Sequence, residues 1–315
     1  MLAEIHLDGG PRMGLGHLRR MEALLSPLAA RGFEVRAVAG SAFSLEYVRN
    51  GWPCETVSAR SAQSQGRSTT LAIVDLPYSG DAIIRRYQGD GVPVIAIDHQ
   101  GKVVPEATVV LDSELRLVEG TVHFSGLNFA LIRPLALGTQ SGNTGRPVVS
   151  IGGSDPLALG PKAASRLWEI GLSPLLVSGP ASLSRPQRLP KEISNVVSPP
   201  DFTDRILGAQ FVVVNGGTTM LESLHLGKPT FVVPQTDGEL AFAKRMERAG
   251  LVLGVGIDSL RTPSVVEVNK ARVQGPAAVD GRGSERIATL AHSLIHNRDI
   301  VMAGHFYQIL RGDSL

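Results

Sequence analysis

Cysteine is nearly missing from this sequence, and long apolar runs are missing altogether. The one cysteine, Cys54, has no partner for an internal disulfide or for a thiolate zinc site. The apolar runs are all far shorter than the roughly 20 residues of a membrane-spanning helix. The chain also opens directly on a strand-like segment, 2–7, without the basic and then apolar layout of a secretory signal. We therefore expect a cytoplasmic protein without an integral membrane segment.

Neither sign of charge is in excess, since 31 Lys and Arg residues are set against 29 Asp and Glu residues. A nucleic-acid-binding protein usually carries a basic face, so we predict no nucleic-acid partner. Hydrophobic residues make up 43% of the chain and charged residues 19%, which is typical of a packed globular interior. The length of 315 residues suits two domains better than one.

Short β-branched runs alternate with segments of helical period, and this rhythm predicts βαβ units and parallel sheets. Strands are expected at 3–8, 34–39, 71–75, 92–97 and 107–111, and then at 147–151, 174–178, 211–214, 229–233 and 251–255. Helices are expected at 17–31, 157–170, 217–226, 238–249 and 284–296.

A polar, glycine-rich stretch at 138–146 interrupts this rhythm and predicts an interdomain linker. We therefore predict an N-terminal Rossmann-like domain over 1–140 and a C-terminal one over 147–315, the latter ending in a C-terminal helix. A final amphipathic piece, 299–310, is expected to pack back across the first domain. The fold class is thus α/β, with two doubly wound domains facing a central cleft.

Acids and glycines follow the predicted strands in both halves. They are Asp8-Gly9-Gly10, Asp75, Asp98, Asp112, Gly152-Gly153 and Gly216-Gly217. Ligands of open parallel sheets bind beyond the carboxyl ends of the strands, so the pattern predicts two polar rims across a cleft. Each acid taken singly is equally typical of a turn or a helix cap.

The first glycine-rich segment, 9–17, joins the first strand to the first helix. It matches neither a dinucleotide fingerprint nor a Walker A loop, but Gly14 and Gly16 allow backbone N–H groups to approach an anion at a helix start. His17 falls in the first helical turn, where the helix dipole disfavours an imidazolium. His17 is therefore a candidate neutral proton acceptor, and a capping or packing role is equally open.

Two further glycine-rich turns lie in the second half. The segment 152–156 reads Gly-Gly-Ser-Asp-Pro, which suits a capped helix start as well as an anion site. The segment 215–222 offers N–H groups at two glycines, two threonine hydroxyls and the carboxylate of Glu222 one turn later. This order is favourable for a diphosphate cradle, with Glu222 either accepting from ribose hydroxyls or serving a structural role.

Six motifs occur in an order that resembles one known superfamily and cover most of residues 1–255. They are GLGHLRR at 14–20, VDLPY at 74–78, SGLNFALIRP at 125–134, IGGSDP at 151–156, NGGTTMLES at 215–223 and a helix ending at Ala249-Gly250. The set resembles the GT-B superfamily. Within it, the chain is most similar to the UDP-sugar hydrolases of the pseudaminic acid pathway and their spore-coat polysaccharide relatives.

The resemblance implies that a UDP-sugar is the small-molecule partner, held mainly by the second domain, and that no cofactor is needed. Water would attack the anomeric carbon, His17 would activate it, and UDP would leave. The catalytic set implied is His17, Asp8, Asp75 and Tyr78, with Asp8 or Asp75 orienting His17. The substrate-binding set is Gly14, Gly16, Gly152, Gly153, Ser154, Asp155, Gly216, Gly217, Thr218, Thr219, Glu222 and Glu239.

Positions 6, 238 and 239 depart from the pattern of that family. His6 stands in the first strand where the family usually has an arginine, and Gly238-Glu239 replaces Asn-Gln. A carboxylate facing a diphosphate would repel it, so Glu239 is expected either to turn away or to meet different chemistry. No metal is predicted, because His6, Asp8 and His17 are not accompanied by a tight ligand set.

Three functions remain open on the sequence. The first is a nucleotide-sugar hydrolase, with His17 as the general base. The second is a glycosyltransferase that passes the sugar to an acceptor alcohol instead of water. The third is a non-catalytic nucleotide-sugar-binding relative, suggested by the altered residues at positions 6, 238 and 239.

Overall fold

The computed structural model describes residues 1–62, 68–98, 109–112, 122–133, 145–182, 189–298 and 301. Most of the predicted linker at 138–146 and of the final piece at 299–310 lies outside them, as does the side chain of Asp112. The chain packs as two compact α/β units. Each unit has one parallel sheet with helices in the crossovers, so two doubly wound, Rossmann-like units are confirmed.

The first unit contains a seven-stranded sheet in the order β3-β2-β1-β4-β5-β6-β7. Its strands are β1 (Leu2–Leu7), β2 (Glu34–Ala39), β3 (Glu55–Ser58), β4 (Leu71–Asp75), β5 (Val94–Ile97), β6 (Val109–Asp112) and β7 (His123–Ser125). Its helices up to that point are α1 (Gly16–Glu22), α2 (Leu25–Ala29), α3 (Ala42–Gly51), α4 (Ala59–Ala62) and α5 (Asp81–Gly89). The central strands β1, β4 and β5 are buried along their whole length, as expected for a sheet covered on both faces.

The second unit contains a six-stranded sheet in the order β10-β9-β8-β11-β12-β13. Its strands are β8 (Val148–Ser150), β9 (Leu175–Ser178), β10 (Ser194–Val197), β11 (Val212–Val214), β12 (Thr230–Val232) and β13 (Gly254–Val255). Its helices are α6 (Leu159–Glu169), α7 (Phe202–Gly208), α8 (Thr218–His225), α9 (Asp237–Arg248) and α10 (Val265–Ala278). Phe211 and Phe231 pack edge to face in its core, with ring centroids 5.6 Å apart.

The last described long helix, α11 (Gly283–His296), packs with the first unit. Arg31 of the first unit donates to Thr289 Oγ1 at 2.8 Å and pairs with Glu285 at 2.9 Å. A Cβ added to Gly283 would lie 2.2 Å from the carbonyl oxygen of Ala130, so only glycine allows this approach. The structure therefore divides the chain differently from the predicted domains, 1–140 and 147–315. Residues 282–298 belong to the first unit, and Gly10–Gly16 belong to the second.

The single helix predicted at 17–31 is divided into α1 and α2. Ala23 donates to the carbonyl of Arg20, and Leu24 donates to that of Met21, so the helix tightens into i to i+3 bonds at this point. Leu18, Met21, Leu24 and Leu28 are all fully buried on either side of the division. The apolar spacing predicted the buried face correctly, but it did not indicate the break.

A buried polar network crosses the first sheet beneath the strand ends. Tyr87 donates its hydroxyl hydrogen to Glu4, whose carboxylate also accepts from Arg36 Nε at 2.9 Å. His6 Nε2 lies 2.8 Å from the same Tyr87 oxygen. Burial lowers the pKa of His6 to about 4, so this imidazole is neutral at physiological pH. His6 is therefore a structural residue, and the position does not carry the charge of an arginine.

We expect Tyr87→Phe to lower the free energy of unfolding by about 1–3 kcal/mol, because Glu4 and His6 would keep buried polar atoms without their shared partner. Tyr47→Phe is the matched control, since the Tyr47 hydroxyl has no hydrogen bond within the described part of the chain. Urea unfolding followed by circular dichroism measures both. Equal stability of the two variants would contradict the role given to Tyr87.

Candidate functional site

His17 and Asp75 meet at the carboxyl ends of strands in the first unit. Nδ1 of His17 lies 2.7 Å from Asp75 Oδ1, at the end of β4. Arg20, one turn further along α1, donates from Nε to Asp75 Oδ2 at 2.6 Å and also contacts Asp98 after β5. Because β1, β4 and β5 are neighbours in the sheet, residues following three strands of the chain meet at this edge.

The electrostatics of this cluster keep Asp75 ionised, and this determines which ring nitrogen of His17 faces it as the donor. Burial alone would raise the pKa of Asp75, but the adjacent Arg20 and His17 lower it to about 2. The two carboxylates in turn raise the pKa of Arg20 above its usual value despite the desolvation. An ionised carboxylate only accepts hydrogen bonds, so Nδ1 of His17 carries the proton. Nε2 is then the free acceptor, and it has no hydrogen bond among the described residues.

Asp8 and Tyr78 form a second cluster in the same unit. Asp8 Oδ1 accepts from the hydroxyls of Ser41 and Ser44, each at 2.7 Å, and Oδ2 accepts from the Tyr78 hydroxyl at 3.0 Å. Desolvation and the Asp8 charge raise the pKa of Tyr78 to about 12. A Cβ at Gly40 would lie 2.6 Å from both Asp8 Oδ2 and the Tyr78 oxygen, so this pair requires glycine there. Of the two acids expected to orient His17, the structure gives that contact to Asp75.

A metal site is not formed by these side chains. Within the described residues, no group of three or more His, Cys, Asp and Glu side chains could hold a metal ion. Of the three residues considered in the sequence, His6 is bonded to Tyr87, Asp8 to serines, and His17 to Asp75.

In the second unit, the turn after β8 serves partly as a helix cap. Asp155 Oδ1 accepts from the Leu159 N–H at 2.9 Å, and Oδ2 accepts from the Gly160 N–H at 2.8 Å, so the carboxylate caps α6. Ser154 is buried, with 3% of its surface exposed. Asp155 therefore has a capping role, and contact with a nucleotide stays a prediction for Gly152, Gly153, Ser154 and Asp155.

The three glycine-rich segments approach one another within the second unit. A Cβ added to Gly14 would lie 3.9 Å from Ser154 Oγ, and one added to Gly16 would lie 3.8 Å from Thr218 Oγ1. One added to Gly153 would lie 2.8 Å from Leu15 Cβ, which excludes any larger residue. The predicted substrate-binding glycines of segments 9–17, 152–156 and 215–222 are thus neighbours.

The turn after β11 leads directly into α8, as predicted for a diphosphate cradle. Gly217 is the N-terminal cap residue, and the helix begins at Thr218. Thr219 lies in the first turn, and Glu222 lies on the buried side with 6% of its surface exposed. The ribose contact of Glu222 stays a prediction.

Glu239 approaches this turn from the start of α9. Its Oε1 accepts from Asn215 Nδ2 at 2.7 Å, and its Oε2 accepts from the Gln235 N–H at 2.7 Å and, more weakly, from the Gly216 N–H at 3.4 Å. The carboxylate therefore does not turn away from the glycine-rich turn. It occupies one of the N–H groups expected to bind phosphate.

Arg20, Asn215 and Gln235 are site residues to which the sequence analysis assigned no role. Arg20 stands three residues after His17 within GLGHLRR, a spacing that places both side chains on one helical face, and this was the available signal. Asn215 opens the NGGTTMLES motif. Gln235 carries no comparable signal, because its contacts depend on how β12 and β8 are arranged in the sheet.

Comparison with solved structures identifies the fold. The calicheamicin glycosyltransferase CalG4 is 14% identical, with a TM-score of 0.64 over 94% of this chain and 98% of that chain. The spinosyn rhamnosyltransferase SpnG is 15% identical, with a TM-score of 0.58 over the whole of both chains. MurG of Acinetobacter baumannii is 13% identical, with a TM-score of 0.58 over 93% of this chain and 100% of that chain.

No protein-family model and no curated protein sequence matches the chain at a significant level. Within the described residues, no helix combines the length and the apolar character required to cross a membrane. At identities this low, the structural similarity shows the fold and does not show a shared activity. The chain therefore has the GT-B fold that the motifs resemble, and the narrower resemblance to UDP-sugar hydrolases stays a prediction.

Proposed function

We propose that this protein is a glycosyltransferase that moves a sugar from a nucleoside diphosphate to an acceptor hydroxyl. The observation that carries the proposal is the oriented imidazole of His17, whose Nδ1 is bonded to the buried, ionised Asp75 and whose Nε2 is free. The similar structures support transfer, since they are named as glycosyltransferases, and one was solved with thymidine diphosphate.

In the proposed reaction, Nε2 of His17 takes the proton of the acceptor hydroxyl. At the same time, the oxygen of that hydroxyl attacks the anomeric carbon of the donor sugar. A carbon–oxygen bond forms, and the bond from the anomeric carbon to the diphosphate oxygen breaks with its electron pair on the leaving diphosphate. Asp75, Asp98 and Arg20 form a cluster with one more carboxylate than guanidinium. The imidazolium that results is therefore stabilised by the nearby negative charge.

The leaving group is assigned to the second unit. Backbone N–H groups and the positive end of the dipole of α8 favour a diphosphate at Gly216–Thr219. Stabilisation of the departing charge in this way allows a single base to suffice, without a paired carboxylic acid.

Hydrolysis is the second candidate, favoured by the motif resemblance. Water would then take the place of the acceptor hydroxyl, and the residue roles would be unchanged. A panel of UDP- and dTDP-sugars separates the two functions. Release of the diphosphate only when an acceptor alcohol is added supports transfer, equal release in its absence supports hydrolysis, and failure to bind any of these nucleotides contradicts both.

We expect His17→Ala to lower turnover by about 10²–10⁴-fold, the usual contribution of a general base, while the affinity for the nucleotide is nearly unchanged. Calorimetric titration with the nucleoside diphosphate and a steady-state rate measure the two effects. A variant with parental turnover would remove His17 from the mechanism.

Asp75→Asn should lower kcat by at least about 100-fold, because the amide no longer imposes the Nδ1–H tautomer on His17. The same change should alter the pH dependence of stability. The pKa of Asp75 is about 2 in the folded protein against a reference of 3.8, so its stabilisation is present above pH 4 and is lost as the pH falls toward 2.

Urea unfolding of the parent and of Asp75→Asn between pH 5 and about pH 2 measures this loss. Asp90→Asn is the control, since Asp90 is exposed at the end of α5. Parallel stability curves for the parent and Asp75→Asn would show that Asp75 is not the group responsible.

A further inference from the structure

Glu239 is held beside the glycine-rich turn by hydrogen bonds of its backbone N–H and of its side-chain carboxylate. Thr236 caps α9 by accepting from the Glu239 N–H at 3.2 Å. A glutamate at this position commonly folds back to the N–H of the cap residue itself, as Glu267 does with Ser264 in α10. The Glu239 side chain instead accepts from the Gln235 N–H and from the side-chain amide of Asn215, the residue that follows β11.

The two glycines of the turn lie close to Glu239. A Cβ on Gly216 would lie 2.8 Å from the Glu239 carbonyl oxygen, and one on Gly217 would lie 3.8 Å from Glu239 Oε1. The carboxylate therefore lies within van der Waals distance of the position that a side chain on Gly217, the cap residue of α8, would occupy. Any anion bound by the N–H groups of this helix start would be its close neighbour.

The two residues that donate to the Glu239 carboxylate, Asn215 and Gln235, each have a side-chain oxygen without a donor among the described residues. Asn215 Oδ1 and Gln235 Oε1 are buried and lack a hydrogen-bond partner among the described residues. Asn215 as a whole has 9% of its surface exposed. Buried acceptors of this kind are normally satisfied by a ligand or by water. The cluster thus presents negative and partly negative oxygens, which suit the hydroxyl groups of a sugar and disfavour additional anionic charge.

We propose that Glu239 is a specificity-determining residue that makes the site prefer the intact nucleotide sugar over the free nucleoside diphosphate. This inference rests on the proposed function. The diphosphate diester of the donor carries one negative charge per phosphate. After transfer, the terminal phosphate has a free oxygen whose second ionisation occurs near pH 6, so the product carries additional charge at pH 7.

The carboxylate repels the product more strongly than the donor, because the Coulomb energy is proportional to the ligand charge. The donor also keeps the sugar hydroxyls that can satisfy the acceptor oxygens of the cluster, and the product has lost them. Both effects favour binding before transfer and release after it.

Calorimetric titration of the full chain tests the proposal, with UDP and dTDP as free diphosphates and their glucose esters as donors. Glu239→Gln removes the charge and keeps an acceptor oxygen. We expect it to bind the free diphosphate roughly tenfold more tightly and the ester only a few-fold more tightly. The ratio of the affinity for the ester to the affinity for the free diphosphate therefore falls several-fold in the variant. Glu247→Gln is the matched control, since Glu247 lies on the same helix and pairs with Lys244 on the surface.

A second measurement does not depend on the variant's stability. Raising the ionic strength should reduce the parent's preference for the ester toward that of Glu239→Gln, while the preference of Glu239→Gln changes little. If both proteins bind these nucleotides with the same preference at every salt concentration, the role of Glu239 is wrong and the proposed function stands. If neither protein binds any of the four, the proposed function fails, and this inference fails with it.

Discussion

The fully buried carboxylate of Asp75 is the constraint on which the first unit's chemistry depends. A charge removed from water in this way is costly unless it is paired and hydrogen-bonded. Arg20 and His17 supply the pairing from one face of α1, and Asp98 engages the remaining side of the guanidinium. The imidazole is thus oriented as a consequence of solvating a buried acid, and its outer nitrogen is left as the basic atom.

In the function we propose, the second unit has the opposite task, because it must bind a diphosphate and then release it. The start of α8 provides N–H groups and a favourable dipole, and Glu239 provides a negative charge beside them. A site that bound diphosphate with donors alone would favour the product, because the product carries more negative charge than the substrate. A fixed opposing charge costs some affinity and gives selectivity, which is the difference of two binding energies.

The sequence predicted most of the architecture because parallel strands and crossover helices leave strong periodic signals. All ten expected strands overlap strands in the structure, while β3, β7 and β10 were missed, since these are short and lie at or near the sheet edges. Five helices were missed as well, namely α3, α4, α5, α7 and α10. In α10 the apolar residues do not fall on one face, and Pro276 lies inside the helix. The break between α1 and α2 depends on tertiary packing and not on the apolar spacing.

The candidate site was predicted where a motif fixed the residue and missed where a distant contact did. His17, Asp75 and Gly216–Thr219 were identified within motifs. The partnership of Arg20 with Asp98 joins residues 78 positions apart, and that of Glu239 with Asn215 joins residues 24 apart. Such pairings depend on the order of the strands in the sheet, and this order cannot be read from a local motif. For Asp155 the sequence left a helix cap and an anion site open, and its carboxylate caps α6.

Helix α11 has a consequence for how the chain reaches its native state during synthesis. It completes the first unit through the contact of Arg31 with Thr289, across 258 positions of sequence. The larger segment of the second unit, Pro134–Gly281, is translated between these two residues. The N-terminal unit therefore leaves the ribosome without one of its packing helices, and closing so long a loop is entropically costly. Until then its apolar surface beside α2 remains uncovered, and the second unit is free to fold first.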